Sequence, residues 1–552
     1  MDRRQFLTLS AARQKRTVNN ASFGRTDSGV NTYTGAFETP QMVHVLKRAL
    51  FGATPADLAW AKTLGNMDAV VDALLTMEPT PPAPPVNNYG DDSTGIAPGQ
   101  PWVMSAPYVK TDGDSLGQNR QRSYRAWWMG VLLNQKRSIQ EKMTLFWHNH
   151  FPTETTVVLD LRYHYQYNVT LRKHCIGNFK ELVKAVTLDP CMLNYLNGDL
   201  NSKTAAQENY ARELQELFTI GKGPDSHYTE DDVRAASRVL TGYRINAQTV
   251  TSYFDSSEHD FENKQFSDFY GKRTVTGQTG AAGAEELDAL LDLIFSNAEV
   301  AKFIVRKLYR YFVYYSIDDQ VEQDVITPLA NIFRDNDYEL VPLLKAMFKS
   351  EHFYDPLNMS CLIKSPADFC VGLCREFSVE FPAASDYMNA YDAWDYIRDT
   401  AGKMQQNLGD PPNVAGWPAY YQEPMFHELW ITTDTLPKRN QLSDFLITGQ
   451  GARNNLKADV IAFADQLSDP GNPNTLIQDS LDLLYRVETP DAFKASLKSQ
   501  FLLSGQTTDY YWTQAWQNYK NNPTDAALKQ VVETRLKTMY KFIMDLSEYQ
   551  LS

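Results

Sequence analysis

The chain has 552 residues, long enough to bury a large core and, by length alone, to form roughly two to four domains. It is 43% hydrophobic and 22% charged, the balance of an ordinary globular protein. Its net charge of −14 argues against unspecific nucleic-acid binding, which needs a basic footprint, and leaves small-molecule, glycan and protein partners open.

The N-terminus reads "MDRRQFLTLS", similar to a twin-arginine export motif. The apolar stretch that should follow is replaced by the charged and polar "AARQKRTVNN". Residues 1–40 are therefore expected to be a basic, polar arm. If the motif works, it implies a periplasmic or envelope-associated protein; otherwise the protein would be cytoplasmic. Five cysteines (Cys175, Cys191, Cys361, Cys370, Cys374), with no CxxC spacing, make a disulfide framework or a thiolate zinc site a poor expectation. Cys370 and Cys374 fall on one helix face as small buried hydrophobes. No run approaches the ~18 consecutive apolar residues of a membrane helix.

Helix signals dominate the rest. In "TPADLAWAKTLG", Thr54 is a cap, Pro55 opens the helix and Gly65 stops it. "YTEDDVRAASRVLTGY" starts at Thr229, with Val233, Ala236 and Leu240 on one face. Leu287, Leu290, Leu291 and Ile294 keep helical spacing, and Ser296 with Glu299 has the spacing of a capping box before the next helix. The best strand candidate is "TTVVLDLRYHY" at 155–165. Three long stretches, 77–122, 245–284 and 403–440, are rich in Pro, Gly or polar residues and read as loops on a helical scaffold. The expectation is a mainly α fold: one large multi-helix domain over 41–552 with long irregular loops and little β.

Four stretches carry chemistry. In "EKMTLFWHNHFPTE", His148 and His150 are two apart, and two such side chains on a helix point about 200° apart. Pro152 biases Phe151 out of helical angles, so the helix is expected to end near Asn149, with His150 just beyond it. That geometry permits a shared metal and equally permits two packed imidazoles. In "QENYARELQELFTIG", Asn209, Glu213 and Glu216 share a face, and Glu208 and Arg212 form a neighbouring pair. Inward-facing carboxylates one turn apart suit metal sites, and Glu–Arg pairs also decorate solvated helices. "EHDFENKQF" supplies His259, Asp260 and Lys264. "LGDPPNVAGWP" is a rigid turn and an aromatic corner, where Trp417 serves either as structure or as a stacking platform for a ring.

Together these segments resemble the bacterial family catalogued as domain of unknown function 1800 (DUF1800). Its typical segments are matched by "LKRALFGATPADL" (46–58), "EKMTLFWHNHF" (141–151) and "QENYARELQELFTIG" (207–221, with Gln207 and Ile220 departing from the usual Asn and Leu). Further matches are "VLTGY" (239–243), the His-Asp and Lys at 259, 260 and 264, "PPNVAGWP" (411–418), the segment from Trp430, and "LSEYQLS". The resemblance implies a mostly helical fold over nearly the whole chain and frequent twin-arginine export. It also implies gene neighbours that look like the sulfatase and alkaline-phosphatase superfamily. It implies no particular activity.

Polar residues in these segments point to a shared site or to buried ion-pair networks. The leading expectation is a metal-dependent enzyme. His148, His150, Glu213 and His259 would hold a divalent transition metal (Zn, Mn or Fe), and Asp260 or Glu216 would serve as ligand or general base. Arg212 and Lys264 would hold an anionic substrate or transition state, and Asn209 and Trp417 would contact it. The reaction would be hydrolysis of an envelope or extracellular polymer, with oxidation at non-haem iron a close variant. Two alternatives come from other classes: a non-catalytic helical partner of a phosphatase- or sulfatase-like protein, and a glycan-binding protein.

Overall fold

The structure, a computed structural model, describes residues 26–107, 115–450 and 455–552. The arginine pair at 3–4 lies outside the described residues. The fold is mainly α, as the patterning predicts: helices follow one another from Thr39 on, and the only sheets among the described residues are two short hairpins. No helix among the described residues is long and apolar enough to cross a membrane.

The helices start where the sequence places caps. Thr54 and Asp57 form a reciprocal capping box and Gly65 closes that helix at φ 79°. Thr229 and Asp232 do the same for Glu230–Val239. At the next expected cap the start shifts by one: Asn297, not Ser296, accepts from the Glu299 N–H and opens Ala298–Phe312. A long amphipathic helix, Leu116–Leu133, packs along Tyr387–Lys403. The two come close because Gly130 faces the Trp394 ring, which a Cβ there would meet at 2.5 Å. Buried tryptophans, among them Trp102, Trp128 and Trp147, fill the core around them, each worth about 3 kcal/mol or more of burial.

Several expectations are corrected. Residues 155–165 form no strand: a turn leads into the helix Leu161–His174, capped by Asp160, because the local cap outweighs the β-branched run. The strands lie at Tyr243–Asn246 with Thr251–Phe254, and at Lys264–Gln265 with Thr274–Val275, both antiparallel. The loop at 77–122 ends early at Leu116, and that at 403–440 ends at Thr435, where the helix Thr435–Thr448 begins. Within the expected arm at 1–40, the described residues 26–38 touch the helical domain. Thr26 is buried beside His352, and Thr32 bridges to Ser350.

Candidate functional site

The Gln140–His150 helix is buried along its whole length. Pro152 does push Phe151 out of helical angles (φ −117°, ψ 69°), but the helix runs one residue further than expected, through His150. The two imidazoles therefore diverge. His148 packs edge-on against Trp128, ring centres 4.9 Å apart, with Trp417 and Tyr167 close by. Neither of its ring nitrogens has a hydrogen-bond partner among the described residues. Burial, and then the neighbouring His164, pull its pKa to about 3, so the ring is neutral.

His150 turns to a different neighbour. The helix Asn209–Glu213 continues as a π-helical turn, Leu214–Thr219, and stops at Gly221. A helix end leaves its last carbonyls without intrahelical donors. His150 Nε2 donates to the Phe218 carbonyl at 2.9 Å, which places its proton there and leaves Nδ1 as an acceptor for Lys307 Nζ at 3.1 Å. Lys307 also donates to the Leu217 carbonyl at 3.3 Å. Burial, and then Lys307, hold the His150 pKa well below the usual histidine range. The second histidine is thus a cap for another helix.

Asn149, between the two, accepts from the Trp417 backbone N–H at 2.9 Å. A Cβ on Gly416, at φ 93°, would lie 2.4 Å from the Asn149 amide oxygen, so only glycine permits this corner. Trp417 is 1% exposed, which corrects its reading as a stacking platform: the ring is core, over His148.

The remaining predicted residues are spread over separate networks. Glu213 is half-buried, its Oε2 has no partner among the described residues, and its pKa is raised by burial and then by Glu216. Glu216 pairs with Lys222, and Arg212 bridges Glu208 (3.0 Å) and Glu230 (2.7 Å). Asn209 is exposed at the first position of its helix. His259 Nε2 lies 3.0 Å from Glu286 Oε1, and its Nδ1 faces the Thr241 carbonyl at 2.9 Å. Lys264, fully buried, meets the other Glu286 oxygen at 2.6 Å, and Asp260 pairs with Arg238 at 2.7 Å. The expected ligand set does not assemble. Each histidine is engaged with, or packed against, different neighbours, and among the described residues no group of three or more His, Cys, Asp or Glu is placed to hold an ion.

A different cluster does assemble, and most of its charged side chains are cations. A small cavity of about 40 Å³ is lined by Lys47, Arg48, Lys142 and Arg310, with Tyr311 and His427 beside them. Asp368 is the one acidic side chain in its lining. Lys47 and Arg48 come from Thr39–Ala49, Lys142 from Gln140–His150, Arg310 from Ala298–Phe312, and Asp368 from the first turn of Pro366–Glu376. Lys47 pairs with Glu376 at 2.7 Å, and Lys142 pairs with Asp368. His427 Nδ1 accepts from the Ile363 N–H at 3.1 Å, while its buried Nε2 has no partner among the described residues. Burial, and then Arg48, lower its pKa to about 4.

Behind the lining sit three more buried cations. Lys364 rests its ammonium 3.8 Å from the Tyr549 ring centre, Arg439 donates to the Lys364 carbonyl at 2.8 Å, and Arg486 donates to the Asp482 carbonyl. None of the three forms an ion pair with a described carboxylate. Burial, followed by nearby Lys47, brings the Lys364 pKa to about 7. In a chain of net charge −14 these buried cations gather around the carboxylates of Glu376 and Asp368.

A family model described as "Protein of unknown function (DUF1800)" matches residues 44–551. The chain belongs to the DUF1800 family. No curated protein matches it, and no solved structure does. Of the DUF1800-like segments, those holding Lys47 and Arg48, Lys142, Trp430 and Ser552 all reach the cationic cavity. Among the cations of the family-like segments, Arg212 and Lys264 stand out from the sequence, and Lys47, Arg48 and Lys142 do not. The available signal was a charged pair, Lys47-Arg48, set inside the apolar run "VLKRALF", where a surface charge has no place.

Proposed function

We propose that this DUF1800 protein acts as a binding protein whose working site is the cationic cavity, and that the cavity receives an anionic group of its ligand. The observation that carries this reading is the group of buried cations behind the cavity, Lys364, Arg439 and Arg486, which form no ion pair with a described carboxylate, while the lining cations Lys47, Lys142 and Arg310 are paired with Glu376, Asp368 and Glu423. Burying an uncompensated charge costs several kcal/mol, and a bound anion offsets that cost. The metal-dependent hydrolase reading lacks an assembled ligand set among the described residues, and the glycan reading loses its platform with Trp417 in the core.

The test is thermal unfolding of the full chain at constant ionic strength, with chloride exchanged for phosphate, sulfate, citrate or acetate. A ligand that binds only the folded state stabilises it by about 2.7 kcal/mol at a hundredfold excess over Kd. The expected result is a saturable rise in Tm with at least one anion, lost in Arg310→Gln. Equal Tm in all the anions would end this reading.

A further inference from the structure

We infer that a second cavity, apart from the cationic one, binds a small neutral aromatic molecule that carries a carbonyl-type acceptor. Its volume is about 310 Å³, and it shares no lining residue with the cationic cavity. An apolar cavity of roughly 150 Å³ is enough to take up benzene, so this one has room for a ring and a substituent. One wall is a face of the helix Leu161–His174: Tyr165 and Val169 are a turn apart, and Arg172 and Lys173 follow a turn later. Trp127, from Leu116–Leu133, meets Tyr165 edge to face with ring centres 5.5 Å apart. Pro81 and Pro82 supply another wall. Proline fixes its own backbone, and this segment is also tied on either side of the two prolines. The Glu78 N–H donates to Gln140 Oε1 at 3.1 Å, and Trp127 Nε1 donates to the Ala83 carbonyl at 2.6 Å. The cavity is thus framed by hydrogen bonds from two of its own lining residues, and its aromatic and proline surfaces suit a flat ring.

The polar groups set the rest of the ligand. Gln140 is 5% exposed and lines the cavity. Its amide oxygen is used by Glu78, and its Nε2 has no hydrogen-bond partner among the described residues. A buried amide donor of this kind is satisfied by an acceptor on the ligand. The charges in the lining balance. Arg172 is paired with Glu141. That leaves Glu78 and Lys173, one of each sign, neither in an ion pair among the described residues. The lining therefore calls for no net charge on the ligand.

The experiment is a saturation-transfer nuclear magnetic resonance titration on the full chain, with benzamide, acetophenone, toluene, benzoate and benzylamine as probes. Wild type is compared with Val169→Trp, which fills the cavity, and Gln140→Glu, which keeps the acceptor for the Glu78 N–H and removes the amide donor. Each is checked for folding by circular dichroism. Benzamide or acetophenone should bind at least about tenfold tighter than benzoate and benzylamine, and Val169→Trp should abolish that binding. Gln140→Glu should weaken the two carbonyl probes about tenfold and leave toluene unchanged, the size of effect expected for one hydrogen bond. Absence of binding by every probe to wild type would overturn the site, as would binding that survives in a folded Val169→Trp. Benzoate or benzylamine binding as tightly as benzamide would overturn the neutral class. Carbonyl probes unaffected by Gln140→Glu would overturn the role of the Gln140 amide. The wild-type probe series decides the ligand class without either variant.

Discussion

His150 accepts a hydrogen bond from Lys307 across 3.1 Å, so a neutral imidazole, not a carboxylate, partners this lysine. Burial, with Arg310 adding to it, brings the Lys307 pKa down to about 7, against about 10.4 in an unfolded chain. Below about pH 7 both states carry the proton and the folded state bears the full cost of the buried charge. As pH rises from about 7 toward 10, the folded state sheds that proton first and stability rises. Urea unfolding at about pH 6 and pH 9 should show this gain, and Lys307→Met should remove on the order of 2 kcal/mol of it. An identical pH slope in wild type and variant would contradict the assignment.

The two histidines of the same helix should respond to different degrees to replacement by phenylalanine. His148 makes no hydrogen bond and already packs among aromatic rings, so His148→Phe should change stability by less than about 1.5 kcal/mol. His150→Phe leaves the Phe218 carbonyl without its side-chain donor and takes the acceptor from Lys307, and should cost about 2–4 kcal/mol. Inductively coupled plasma mass spectrometry on the same samples gives an independent readout. A stoichiometric metal in wild type that both substitutions abolish would restore the shared metal site.

Gly416→Ala should be among the most damaging single-methyl additions in the protein. The new Cβ would stand 2.5 Å from the Asn149 backbone oxygen, at a φ of 93° that side chains avoid. A loss above about 2 kcal/mol is expected in chemical denaturation. A loss of only a few tenths would mean that the corner relaxes freely.

Glu286 holds two partners at once, His259 and the fully buried Lys264. Glu286→Gln should cost about 3 kcal/mol by leaving the ammonium uncompensated. Adding Lys264→Met to that variant should recover part of the loss. A double variant as unstable as the sum of the singles would show that the two residues are not coupled.

Local signals were legible where they are self-contained. The Thr54 and Thr229 capping boxes, the Gly65 stop and the helical spacing of Leu287 to Ile294 all describe interactions within one segment. The site was less legible, because its meaning lies between segments. The HNH stretch reads as a ligand pair or as packed imidazoles until Phe218, Lys307 and Trp417 are seen to use His150 and Asn149. Likewise Lys47, Lys142 and Arg310 are ordinary cations until the fold gathers them in one cavity. The strand expected at 155–165 failed because a single cap, Asp160, started a helix inside it.

The way Lys47 is satisfied has a consequence for biosynthesis. Its ammonium needs Glu376 at 2.7 Å and the Leu484 carbonyl at 3.2 Å, although it sits on the Thr39–Ala49 helix near the start of the described chain. A ribosome adding about 5–20 residues per second reaches Leu484 tens of seconds after Lys47. Until then the helix cannot bury that charge with its partners, and an N-terminal fragment has no stable resting place for it. Folding of this protein is thus expected to be completed late, after most of the chain has been made, with the nascent N-terminal helices a natural client of chaperones in the interval.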